Sequence, residues 1–114
     1  MKNIEKKKAR FLREPLPIRL ASLASDLGRV SSSARHLTGA ESVAIMLEEG
    51  RYYIEWTAAD AEPEVAAELV DIQRMLLLWS KCWPEAQKNV TQRTLLSVQA
   101  KKWSDQVLGY SGLL

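Results

Sequence analysis

The chain has one cysteine and one histidine in 114 residues. Cys82 alone cannot form an intramolecular disulfide, and with only His36 beside it no zinc site built on Cys and His clusters can be assembled. Any Ser/His or Cys/His catalysis would have to run through His36. No apolar run approaches the ~18 residues that a membrane-spanning helix requires. The first 13 residues are rich in charge and no secretory apolar stretch follows them, so no signal peptide is expected. A lone thiol without an export signal points to a reducing, cytoplasmic setting. Glycine and proline are sparse, at 5 and 4 residues. What remains is 46% apolar and 26% charged. That is one domain's length, able to bury a core without disulfide or metal staples. An enzyme with separate cofactor and substrate domains is excluded.

The net charge of +2 conceals a segregated pattern. Residues 1–19 carry +5, residues 41–71 carry −8 and residues 72–114 carry +4. An acidic middle flanked by basic ends suits helices of opposite charge packing beside one another, a factor in association and solubility more than in fold.

Apolar spacing predicts four helices and no strand. Leu20, Leu23, Leu27, Val30, Ala34 and Leu37 recur at helical intervals past Pro15 and Pro17, giving a helix over about 17–37 with proline in its first turn. Gly28 and the Ser31-Ser32-Ser33 run lower its intrinsic helicity, so packing must hold it. Thr38-x-x-Glu41 reads as a capping box opening a second helix, 39–58. Asp60 reads as the cap of a third, 63–83, striped by Val65, Leu69, Ile72, Leu76, Trp79 and Trp83 and ended or kinked by Pro84. Asn89 caps a fourth, 90–108, with Gly109 placed to close it. Short connections favour antiparallel neighbours, so the expected fold is an all-α, antiparallel four-helix bundle over residues 15–114. Residues 1–14 form a basic arm, either disordered or an extra helix; Ile4 and Phe11, seven apart, favour the helix only weakly. The arm is expected to contribute little to stability.

Few residues offer chemistry. Arg29 and His36 fall on one predicted helix, in a spacing loosely similar to the Arg/His pair of all-α ribonucleases. Cys82, beside an aromatic stripe, is expected to be buried and inert. The four tryptophans read chiefly as core fillers, each N–H seeking a partner. Lys6, Lys7, Lys8, Arg10 and Arg13 could touch phosphates, giving salt-sensitive, sequence-independent binding to nucleic acid or to an acidic partner. Glu48 and Glu49 on the second helix, with Glu68 and Asp71 on the third, offer the oxygen ligands that Mg²⁺ takes.

Those acids resemble the motifs of MazG-like all-α nucleotide pyrophosphohydrolases, whose pattern is EExxE on one helix and ExxD on the next. Tyr52 stands where that pattern has its third acid. The resemblance covers about residues 45–79 and implies Mg²⁺-dependent cleavage of nucleoside triphosphates. From Pro17 onward, Leu47-Glu48-Glu49, Tyr52-Tyr53-Ile54-Glu55-Trp56, Glu64-Val65-Ala66-Ala67-Glu68 and Trp103-Ser104-Asp105-Gln106 are similar to a set of short all-helical cyanobacterial proteins. That likeness implies a cytoplasmic helical protein and no particular activity.

The leading expectation is a non-catalytic, cofactor-free helical interaction module that self-associates. Apolar residues exceed what one small monomer can cover, so Tyr52, Tyr53, Trp56, Leu77 and Leu78 are the expected interface. The phosphohydrolase with Mg²⁺ is the alternative, and a nucleic-acid binder using the basic arm is the third reading.

Overall fold

The structure is a computed structural model that describes residues 3–113. Lys2, counted with the basic arm, and Leu114, counted with the helical domain, lie outside the described residues. Five helices account for nearly all of the chain: α1 (Ile4–Leu12), α2 (Leu16–Ala34), α3 (Ala40–Ala58), α4 (Pro63–Ala86) and α5 (Val90–Ser111). Among the described residues there is no strand, and no helix is long and apolar enough to cross a membrane.

The fifth helix is the main correction to the expected architecture. Residues 4–12 are helical, and Phe11 is buried. Its ring stacks on Tyr53 with centroids 4.4 Å apart and lies 5.8 Å from the ring of Trp56. One aromatic residue therefore anchors a segment that is otherwise basic.

Helices α2 to α5 pack in a closed order in which each neighbouring pair runs antiparallel. Arg19, early in α2, donates to the carbonyl of Trp56, late in α3. Gln73 donates to the Arg51 carbonyl and the Trp83 indole to the Ala40 carbonyl, fixing α4 along α3. The Trp79 indole donates to Gln99, joining α4 to α5. The tightest pairing closes the ring, between α2 and α5. Ser31 Oγ donates to the Ser97 carbonyl, and Ser97 Oγ donates to the Ser31 carbonyl, both at 2.7 Å. One turn pair away, Ser104 Oγ donates to the Ala24 carbonyl at 2.7 Å. Small side chains bring these backbones together, so Gly28 and the serines, which weaken an isolated helix, are what this contact requires.

Several local expectations are corrected. The Thr38 capping box does not form; a 3₁₀ turn over Leu37–Gly39 intervenes and Gly39 precedes α3 without a side-chain cap. A Cβ on Gly39 would come within 2.3 Å of the Ser33 carbonyl oxygen, so only glycine fits that turn. Glu62, not Asp60, precedes α4. Pro84 neither ends α4 nor breaks it within the last turn, and the helix continues to Ala86. Gly109 remains helical; Gly112, at φ +73°, closes α5. Asn89 does cap α5, accepting from the Gln92 N–H.

The core is a single cluster fed by all four longer helices, with Leu23, Leu27, Leu47, Ile54, Leu69, Leu76 and Leu96 fully enclosed. Leu76 lies at its centre, with a methyl 3.1 Å from where a Gly50 Cβ would stand. Leu76→Ala should therefore cost ~2–5 kcal/mol, with little room for the surroundings to collapse. Chemical denaturation checks this; a midpoint equal to that of the parent chain would show that the stripe of α4 is not the buried face.

Candidate functional site: a charged junction beneath α1

The most concentrated chemistry lies where α1 crosses α2 and α3. Asp26, on the inward side of α2, is only 2% exposed. Glu49 of α3 faces it. Lys7 of α1 reaches over the pair, its ammonium 2.6 Å from Glu49 Oε2. Arg29, one turn along α2, pairs with Asp26 Oδ1. The Tyr53 hydroxyl lies near enough to Glu49 for its negative charge to act on it. Asp26 Oδ2 has no donor among the neighbouring side chains. Two carboxylates cannot hydrogen-bond to each other, so that oxygen is satisfied when a proton sits between it and Glu49.

The electrostatics follow from this geometry. Burial pushes the Asp26 carboxyl up to about 6, and Glu49 opposite reinforces the rise against the opposing pull of Arg29. Burial works in the same direction on Glu49, but the Lys7 ammonium and the hydrogen bond from Asp26 outweigh it and hold Glu49 below its usual value. Burial, followed by the negative charge of Glu49, pushes the Tyr53 hydroxyl up to about 12. The junction thus takes up a proton as pH falls through about 6, with a cation from another helix closing it.

The residues expected to hold Mg²⁺ are distributed otherwise. Glu49 belongs to this junction. Glu48 is half-buried on the same helix. Glu68 accepts from the Tyr110 hydroxyl of α5, and Asp71 pairs with Arg74 on its own helix. Because α3 and α4 are antiparallel, Gly50 lies level with Leu76, which puts Glu49 about two turns of α4 from Glu68. Among the described residues no group of three or more His, Cys, Asp or Glu side chains is placed to hold a metal ion.

The other sequence candidates separate as well. His36 lies beyond the end of α2 and is exposed, while Arg29 is engaged with Asp26, so these two do not share a helix. Cys82 is exposed rather than buried, on the outer side of α4. Of the basic arm, Lys7 is taken by Glu49, whereas Lys6, Lys8, Arg10 and Arg13 are exposed. Of the expected interface, Trp56 is buried and Tyr53 is covered by Phe11 of the same chain. Tyr52 and Leu77 are half-buried, and Leu78 is 55% exposed. Sequence reasoning missed Asp26 altogether. Its signal was a lone acid on the apolar stripe side of a predicted helix, between Leu23 and Leu27.

Compared with known proteins, the chain matches no family model, no curated protein and no solved structure.

The proton at Asp26 makes a signed prediction. A folded carboxyl that holds its proton above the ordinary 3.8 binds more protons than the unfolded chain between 3.8 and about 6. Its contribution to stability is therefore full at the acid side and is lost as pH rises through about 6. Asp26→Asn keeps an acceptor for Arg29 and gives Glu49 a permanent donor. The variant should melt higher than the parent at pH 8 and nearly level with it at pH 4.5. Melting curves at the two pH values decide it, and a variant that is less stable at pH 8 would show that no proton is shared. Because Phe11 and Lys7 seat α1, deleting residues 1–14 should lower the melting temperature measurably, contrary to what the sequence suggests.

Proposed function

We propose that this chain is a small cytoplasmic helical interaction module that self-associates as a two-fold pair through the outer face of α4. The observation that carries this reading is the self-complementary order of side chains along that face. Glu64, Ala67 and Asp71 occupy its N-terminal half; Leu78, Lys81 and Cys82 occupy its C-terminal half, with Lys88 just past the helix. All seven are exposed. A helix packed antiparallel on its own copy about a two-fold axis sets Asp71 opposite Lys81 and Glu64 opposite Lys88, with Leu78 near the axis. Isologous contact of this kind is the commonest closed arrangement of soluble oligomers.

Asp71 and Lys88 on this face are engaged only in exposed pairs. Asp71 and Arg74 pair at 3.5 Å with both side chains about three-quarters exposed, and Lys88 meets Glu85 at 3.6 Å in the open. Such pairs are worth ~0–1 kcal/mol and exchange readily for intermolecular ones. Leu78 in water is the apolar cost that the pairing removes. The remaining members of the expected interface divide: Leu77 borders this face, whereas Tyr53 and Trp56 are served by α1.

Light scattering at micromolar concentration should return twice the monomer mass, falling as salt rises. Leu78→Asp should return the monomer mass while leaving the helical circular dichroism unchanged, and the same change at the exposed Lys102 of α5 should leave the dimer in place. A parent chain that is monomeric throughout this range would refute the reading.

A further inference from the structure

Helix α1 is held to the rest of the chain by few interactions. The Phe11 ring lies on Tyr53 and beside Trp56, and the Lys7 ammonium meets Glu49. Open clefts flank it on both sides, one bordered by Lys7, Arg10 and Tyr53, the other by Lys8, Glu55 and Asp60. The helix is nine residues long. A free helix shorter than ~12–15 residues is marginal in water, so α1 is helical because it is docked. The surface beneath it is the reverse of α1 in character: acidic at Glu49 and Asp26, aromatic at Tyr53 and Trp56. α1 sits on this surface as a ligand sits on a receptor, joined to it by a short hinge.

The hinge can open. Glu14 precedes Pro15, and a residue before proline is disfavoured in the α region and favoured in an extended one. Pro15 is itself extended, with ψ 157°. In the closed form a single side chain, Arg19, holds the hinge by donating from Nε to the Glu14 carbonyl at 3.0 Å. Every copy of the chain carries both the basic helix and the acidic, aromatic surface that receives it.

We propose that the surface of α2 and α3 beneath α1 is a docking site for a basic amphipathic helix, and that its alternative occupant is α1 of a second copy of this chain. Lys7 and Phe11 of the incoming helix make the same contacts with Glu49 and Tyr53 that they make within one chain. Closed and exchanged forms then differ mainly in the hinge and in concentration. The tether gives the chain's own α1 an effective concentration in the millimolar range, so the closed form dominates in dilute solution. Exchange takes over where copies are crowded or where the closed latch is weakened. This goes beyond the α4 pairing proposed above and does not depend on it.

A labelled synthetic peptide of residues 1–14 is the probe. Lys7→Glu in the full chain sets two acids against each other and expels its own α1. The peptide should bind this variant at least tenfold more tightly than it binds the parent, whose α1 competes. Adding Glu49→Lys to the same chain reseats its own α1 and repels the peptide, so binding should fall back. Should Lys7→Glu lose helicity, Phe11→Ala opens the site by removing the stacked ring instead. Exchange between copies is read separately, on chains that also carry Leu78→Asp so that α4 pairing does not contribute. Lys7→Glu alone and Glu49→Lys alone should each run at the monomer mass, and their mixture should run at twice that mass. Absence of peptide binding to both open variants, with helicity intact, would overturn the docking site. A mixture that stays at the monomer mass would overturn exchange between copies.

Discussion

The fold depends on how closely α5 can approach α2. The reciprocal pair of Ser31 and Ser97, each hydroxyl donating to the other's main-chain carbonyl, sets the register of these two helices. Ser104, bonded to the Ala24 carbonyl, repeats the contact lower down. Arg35 adds a bond from Nε to Ser97 Oγ at 3.1 Å. These hydroxyls are buried or half-buried, and each has a partner, so the close approach leaves no unmet donor along the seam. A larger side chain at Ser31 or Ser97 would force the backbones apart. Leu23, Leu27 and Val30 of α2 and Leu96, Ala100 and Val107 of α5 are enclosed because these helices touch along most of their length. α3 and α4 then have one continuous surface to cover.

This seam also explains which parts of the fold the sequence revealed. α4 was legible because its buried face is written in Leu, Ile and Trp at helical spacing, and Leu69, Ile72, Leu76, Trp79 and Trp83 are all buried. Trp79 and Trp83 each bury a ring and find an acceptor for the indole N–H, as large core aromatics must. α5 was legible as a helix, and Leu96, Ala100 and Val107 at helical spacing are its buried face. What the apolar pattern missed is the part of that face made by Ser97 and Ser104, which such a pattern counts as surface. The same blindness made Gly28 and the serine run of α2 look like weaknesses of that helix. Boundary signals failed where tertiary contact overrode local chemistry. Asp60 was a plausible cap, but Arg19 claims its carboxylate at 2.9 Å.

α1 and the charged junction lay beyond sequence reasoning for a different reason. A nine-residue helix whose Ile4, Ala9, Phe11 and Leu12 are set among charges offers little periodicity to read, and its docking rests on partners more than 40 positions away. Lys7 to Glu49 and Phe11 to Tyr53 are individually ordinary pairs of residue types. Only the folded chain shows that they sit together over Asp26. The carboxylates that suggested a metal site were read correctly as a dense acidic stretch. Their geometry depends on the antiparallel register of α3 and α4, which spacing within each helix does not determine.

The segregated charge acquires a structural meaning once these contacts are placed. The basic N-terminal segment meets acids on α3 and just past it: Lys7 meets Glu49, and Arg19 meets Asp60 while also satisfying the Trp56 carbonyl. Arg19 is buried, so its bond to the Trp56 carbonyl is shielded from water, while Asp60 at the other end of the ion pair is exposed. Opposite charges along the chain therefore meet where α1, α2 and α3 come together. The acids of α4 have no such counterpart in the N-terminal segment. Glu68 turns to Tyr110, and Asp71 has only the exposed Arg74 on its own helix. Lys81, in the C-terminal half of α4, cannot reach the acids of the N-terminal half, because a helix is rigid over that distance. In the pairing proposed above, a second copy running the other way brings Asp71 to Lys81. Glu49 of α3 is thus paired across helices, whereas the ion pair of Asp71 on α4 stays on its own helix and exposed.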